Sequence, residues 1–146
     1  MRAFRISALL AVLSFPASAL SPADFAGEWR GENGVHVEQQ AYGNGFHVIL
    51  TLPGDPPRIE AWLYPGGHDG MFAAEGSGNP LDGDVMVWGR LTDQSLILYR
   101  LALGASGKIQ LDRFDRRAEP DGMTFHLERR QGPDETVSEG RLEMVP

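Results

Sequence analysis

The sequence predicts an all-β protein, an antiparallel up-and-down meander of eight to ten strands that closes into a barrel. After Gly27, apolar residues recur at every second position, and no window has the 3.6-residue period of a helix. Turn signals rich in Gly, Pro, Asp and Asn interrupt this pattern roughly every ten residues. We expect a barrel because closure removes the two exposed edges that an open meander would leave.

Residues 1–19 are predicted to be a secretory signal peptide. Arg2 and Arg5 precede a mainly apolar run over 6–15, and the segment ends in the small residues Ala17-Ser18-Ala19. A retained membrane anchor is the alternative, but a spanning helix needs about 20 apolar residues. We therefore expect a periplasmic or secreted protein with no membrane span and a single β-barrel domain over 20–146.

The composition excludes several classes of function. The chain has 13 basic and 20 acidic residues, a net charge of −7, and the charges are interspersed, so a nucleic-acid partner is not expected. It has no cysteine, which excludes a disulfide framework and a thiol nucleophile. The domain must therefore be stabilised by its core.

The turn signals leave ten candidate strands. A short helical turn is predicted before the first of them, because Ser21 suits a helix cap, Pro22 a first turn and Asp24 the positive end of a helix. The predicted strands span 27–31, 34–40, 46–52, 58–64, 71–75, 84–91, 95–103, 108–117, 123–130 and 136–144.

The helical turn followed by Gly27-x-Trp29 resembles the start of the calycin superfamily, which includes lipocalins, fatty-acid-binding proteins and avidins. The resemblance implies a calycin-like barrel in which Trp29 closes one end and is covered by an arginine from a late strand. The matching arginines are Arg141 and Arg129, whose guanidinium would stack on the indole. Alternatively, Trp29 is a core aromatic of some other antiparallel sheet.

The longer pattern Gly27-x-Trp29-x-Gly31 also resembles the opening of nitrobindin-like haem barrels, which implies a haem bound by a late histidine. The only late histidine is His126, and it alternates with the apolar Phe125 and Leu127. Because a proximal ligand must point inward, we predict no haem and no other cofactor.

No metal site or catalytic motif is predicted. His36, His47, His68 and His126 lie in four segments without close ligand spacing, and we expect His36 and His47 to face solvent.

A secreted hydrolase that uses Asp112 and Glu128 as paired carboxylates is the enzymatic alternative. Cross-strand ion pairing on a solvated face explains these carboxylates more simply, because five arginines are interleaved with them: Arg113, Arg116, Arg117, Arg129 and Arg130. A non-enzymatic function is therefore preferred.

Three strands, over 58–64, 84–91 and 95–103, are apolar on both faces, although a wall with one wet face should alternate. One face can fill the interior, whereas the other needs a cover. That cover is either a second small core under a loop or a partner surface. The expected surface, for a protein partner or self-association, is a stripe of five residues: Trp62, Met86, Trp88, Leu96 and Leu98.

A small apolar ligand, neutral or cationic, is the other predicted partner. Ala61, Ala73 and Gly89 leave room where larger side chains would close the interior. The residues expected to line that cavity are aromatic: Phe46, Trp62, Trp88, Tyr99 and Phe125. Trp62 and Trp88 belong either to this cavity or to the outer stripe. The sequence thus predicts an exported, non-enzymatic β-barrel that binds a small apolar ligand or a protein partner.

Overall fold

A computed structural model describes residues 19–53 and 58–146, and these residues form a closed barrel of ten antiparallel strands. Each strand pairs with the next along the chain, and β1 pairs with β10 to close the ring. The predicted fold class is therefore confirmed. The strands are β1 (Gly27–Gly31), β2 (His36–Tyr42), β3 (Gly45–Thr51), β4 (Arg58–Pro65), β5 (Met71–Ala74), β6 (Met86–Leu91), β7 (Ser95–Leu103), β8 (Ile109–Glu119), β9 (Gly122–Gln131) and β10 (Asp134–Met144).

Within the described residues, three 3-10 turns accompany the strands: Pro22–Phe25, Glu32–Gly34 and Pro80–Asp82. The first is the predicted helical turn, and it begins after Ser21, whose backbone N–H donates to the Asp24 carboxylate at 2.7 Å. No helix in the described part of the chain is long and apolar enough to cross a membrane. The predicted signal peptide, apart from Ala19, lies outside the described residues.

The motif Gly27-x-Trp29-x-Gly31 places two glycines and a tryptophan on the inward face of β1. Gly27 has a φ of 116°, and a Cβ there would lie 3.4 Å from the indole nitrogen of Trp29. A Cβ on Gly31 would lie 2.9 Å from Leu142 and 3.1 Å from Phe125. Glycine is therefore favoured at position 27 by backbone geometry and at position 31 by close packing. Trp29 is buried, and its Nε1 donates to the carbonyl of Ala26 at 3.2 Å.

The core lies inside the barrel and is built from alternate residues of every strand. Register fixes which residues point inward: Phe46 lies opposite Leu63, and Leu98 lies opposite Phe114. Phe25, from the first 3-10 turn, is fully buried and packs into the same core. The turn therefore closes the end of the barrel at which β1 begins.

Candidate functional site

The barrel interior contains a buried ionic network where a ligand would be expected. Arg100 on β7 and Asp112 on β8 lie directly opposite each other, are almost fully buried, and form a hydrogen-bonded ion pair. Arg129 on β9 donates to both oxygens of the same carboxylate, at 2.7 and 3.2 Å. Gln110 donates to Asp112 as well, at 3.4 Å. One buried carboxylate thus joins three consecutive strands.

This network does not provide the predicted carboxylate pair. Asp112 points into the barrel, whereas Glu128 lies on the outer face, next to His126 at 3.2 Å. Arg129, the neighbour of Glu128 in the strand, is the residue that faces Asp112. The two carboxylates therefore lie on opposite sides of the sheet, because residues one position apart in a strand point in opposite directions. They do not share a cleft, and the hydrolase alternative loses its site.

A second buried arginine lies at the other end of the barrel. Arg116 is fully buried, donates to the Gln39 side chain and to the carbonyl of Phe25, and lies over the Phe25 ring at 5.6 Å. Burial lowers the pKa of Arg116 to about 9, so the guanidinium remains charged at neutral pH. Gln39 also donates to the carbonyl of Pro22 at 2.9 Å. Arg116 and Gln39 therefore hold the first 3-10 turn over the barrel end.

The arginine at the closed end is thus Arg116 and not one of the predicted pair. Arg141 lies on the outer face of β10, is half exposed, and forms an ion pair with Asp121 at 3.4 Å. Arg129 points inward but contacts Asp112 near the opposite end. Arg141 extends into solvent because its strand neighbour Leu142 takes the inward position.

The small residues that were expected to leave a cavity instead permit close packing. A Cβ on Gly89 would lie 3.3 Å from Leu63 and 3.5 Å from Leu98 and Phe72, so neighbouring side chains already occupy this space. Ala61 is buried inside the barrel, whereas Ala73 lies outside, opposite Trp88. The space between the interior side chains around Arg100 and Asp112 is about 10 Å³, which is about one water molecule.

The five predicted ligand-binding aromatics divide between the two faces of the wall. Phe46 and Phe125 point inward and are buried in the core. Trp62, Trp88 and Tyr99 point outward, because their strand neighbours Ala61, Leu63, Val87, Leu98 and Arg100 occupy the inward positions. These three aromatics therefore cannot line an interior cavity.

Trp88 on β6 and Tyr99 on β7 belong to a continuous apolar surface on the outside of β6 to β8. We call it the outer patch, and it consists of five side chains: Met86, Trp88, Tyr99, Leu101 and Leu111. Trp88 and Tyr99 lie directly opposite each other with rings stacked at 5.1 Å and an interplanar angle of 6°. Leu103 and Ile109, opposite each other and 43% and 49% exposed, extend the patch toward one end.

The outer patch contains only Met86 and Trp88 of the predicted stripe, and the other three members lie elsewhere. Leu96 and Leu98 are buried inside the barrel. The register of β6 and β7 explains the difference, because it pairs Trp88 with Tyr99 and Met86 with Leu101. Trp62 lies outside on β4, 37% exposed, with its ring stacked on that of His47 at 4.7 Å.

The histidines His36, His47 and His126 lie on the outer face, each within hydrogen-bond distance of a glutamate. His126 contacts Glu128 through Nε2 at 3.2 Å and Glu139 through Nδ1 at 3.1 Å. It therefore points away from the interior, where a haem would have to lie.

A polar groove of about 590 Å³ lies on the outside of β8 to β10. Several of its charged groups pair with one another: Arg113 with Asp115 at 3.1 Å, and His126 with two glutamates. Cross-strand pairing of this kind is typical of a solvated sheet face.

Comparisons with protein-family models, with functionally characterised proteins and with solved structures give no significant match. The function is therefore argued from the geometry of the barrel and its outer wall.

Proposed function

We propose that this protein is an exported, non-enzymatic β-barrel that acts by binding protein through the outer patch. The observation that carries this proposal is the contrast between the two faces of the wall. The interior is filled by apolar side chains and by the Arg100–Asp112–Arg129 network. The outer side of β6 to β8 carries aromatic and aliphatic residues where a solvated wall has polar ones.

The chemistry of the outer patch suits a protein interface. Trp, Tyr and Met are enriched at the centres of interfaces, where large side chains are removed from water. Trp88 and Tyr99 are already ordered by stacking on each other, so binding them costs little further conformational entropy. The patch thus offers a preorganised apolar surface.

A second copy of the chain is the occupant that we propose. The five residues of the patch carry no charge, so two copies can face each other without bringing like charges together. Two arginines at its edge are paired within the chain, Arg113 with Asp115 at 3.1 Å and Arg130 with Glu135 at 3.8 Å, and the exposed Arg90 lies two residues from Trp88 on the same face of β6. A two-fold dimer uses the same patch on both subunits, and it is the commonest form of oligomer.

Replacing Trp88 with glutamate is expected to prevent this association. The change places a charge at the centre of the interface, and loss of a central aromatic costs about 2 kcal/mol or more, which is on the order of 30-fold in Kd. Sedimentation velocity over a range of protein concentrations measures the effect. Val137→Glu is the matched control, because Val137 is 55% exposed on β10, outside the patch. A strictly monomeric wild type would exclude a second copy as the occupant.

We also propose that cleavage after Ala19 leaves Leu20 as the first residue of the mature protein. Leu20 packs against the hydrophobic core, and the first 3-10 turn begins two residues later, so cleavage after Ala19 would keep these core contacts. Intact-mass spectrometry of the periplasmic fraction tests this prediction. Ala17→Arg is the control, because cleavage requires a small residue there. A full-length cytoplasmic protein as the main product would contradict the proposal.

A further inference from the structure

Three metal-ligating side chains converge on the outer face of β1 and β2. They are Glu28, His36 and Glu38, and one ligand atom from each lies within 4.8 Å of the other two. His36 Nε2 is 2.9 Å from Glu28 Oε1 and 3.7 Å from Glu38 Oε1. We propose that this triad is a binding site for a divalent transition-metal ion, of the class to which Zn²⁺ belongs.

The distances suit a shared ion. Zinc binds imidazole nitrogen and carboxylate oxygen at about 2.0–2.2 Å, so two ligands of one ion lie about 3–3.5 Å apart. The two distances from His36 Nε2 bracket this range. The Glu38 side chain is half exposed, so it has room to rotate toward a shared ion.

The register of the strands gives an independent reason for a cation at this place. Glu28 and Glu38 lie directly opposite each other across the β1–β2 ladder. Two like charges at such a position destabilise a sheet, and a cation between them removes the repulsion. Arg30 contacts Glu28 Oε1 at 3.2 Å but is largely exposed, so it can turn to Glu143, its neighbour on β10.

The ligand set also indicates the class of metal. One imidazole with two carboxylates leaves at least one coordination position for water, and imidazole favours zinc, copper and nickel over magnesium or calcium.

Two other histidines, His47 and His126, also contact glutamates but do not form a site with three converging ligands. His47 Nε2 lies 3.0 Å from Glu60, which also contacts Arg58, but the residue opposite Glu60 is Ile49. Ile49 thus stands in the place that corresponds to Glu38, and this pair lacks a third ligand. His126 has two glutamates, but they approach opposite ring nitrogens and do not converge on one ion.

Equilibrium dialysis of the untagged, chelator-treated protein against Zn²⁺ tests the proposal, with isothermal titration calorimetry for the affinity. We expect one ion per chain. Glu38→Gln and His36→Gln should each weaken binding by about tenfold or more, since even partners beyond the metal ligands typically change affinity about 10- to 100-fold. Glu60→Gln is the matched control and should bind as the wild type does.

Thermal unfolding provides a second readout that separates loss of the site from loss of the fold. Without metal, Glu38→Gln should melt at or slightly above the wild-type temperature, because it removes a like-charge pair. With Zn²⁺ in excess, the wild type should gain stability and Glu38→Gln should not. Absence of saturable binding to the wild type, or equal binding by Glu38→Gln, would overturn the proposal.

Discussion

Replacing Trp29 with alanine is expected to lower the free energy of unfolding by about 3–5 kcal/mol, the usual cost of truncating a buried aromatic side chain. Trp29 is 7% exposed and packs in the core beside Gly27 and Met144 at the closed end of the barrel. The change removes that packing and the hydrogen bond from Nε1 to Ala26. Because small domains are stable by about 5–15 kcal/mol, much of the total would be lost.

Denaturant unfolding followed by circular dichroism measures this effect without relying on tryptophan fluorescence. Trp62→Ala is the matched control, since the same substitution there removes a 37% exposed side chain stacked on His47. We expect it to cost about 0.5–1.5 kcal/mol, the usual range for such an aromatic pair. Equal effects of the two substitutions would mean that Trp29 does not support the closed end.

Replacing Asp112 with asparagine is expected to be about as damaging. The carboxylate is 1% exposed and neutralises Arg100, which is 2% exposed, while it also binds Arg129. Removing one partner of a buried ion pair leaves an uncompensated charge and typically costs about 3–5 kcal/mol. Urea unfolding at neutral pH measures the loss.

Two further variants separate charge from packing in this network. Glu128→Gln changes a carboxylate on the outer face, where ion pairs contribute about 0–1 kcal/mol, and it should leave stability nearly unchanged. The double variant Arg100→Met with Asp112→Leu removes both charges together and should recover part of the loss. If Asp112→Asn unfolded at the wild-type urea concentration, the network would not stabilise the barrel.

The strand boundaries were predictable from the sequence because each is set by local chemistry. β1 spans 27–31 and β7 spans 95–103, as predicted, and the other strands differ by at most two residues at either end. Turn residues such as Gly43 and Gly107 adopt positive φ, which few other residues do, so they mark where strands end. Alternation over strands of this length then indicates a sheet.

The burial of Arg116 was not predicted from the sequence, although the alternation of residues along β8 indicates it. Arg116 is in phase with Asp112 and Phe114 along β8, so all three point inward. Sequence reasoning grouped it with the neighbouring arginines as a solvated set, because charged residues are almost never fully buried. Its burial depends on Gln39 and on the carbonyl of Phe25, which are 77 and 91 residues away in the chain.

The sequence by itself determined the class of fold, a range of eight to ten strands and the alternation within each strand, since these depend on residues close together in the chain. The tertiary structure decided which face of each strand is inside and which residues of different strands meet. Register placed Leu98 in the core and Tyr99 on the outer patch, and it brought Glu38 opposite Glu28 beside His36. A shift of one residue in pairing would exchange the two faces, and no local pattern specifies that choice when both faces are apolar.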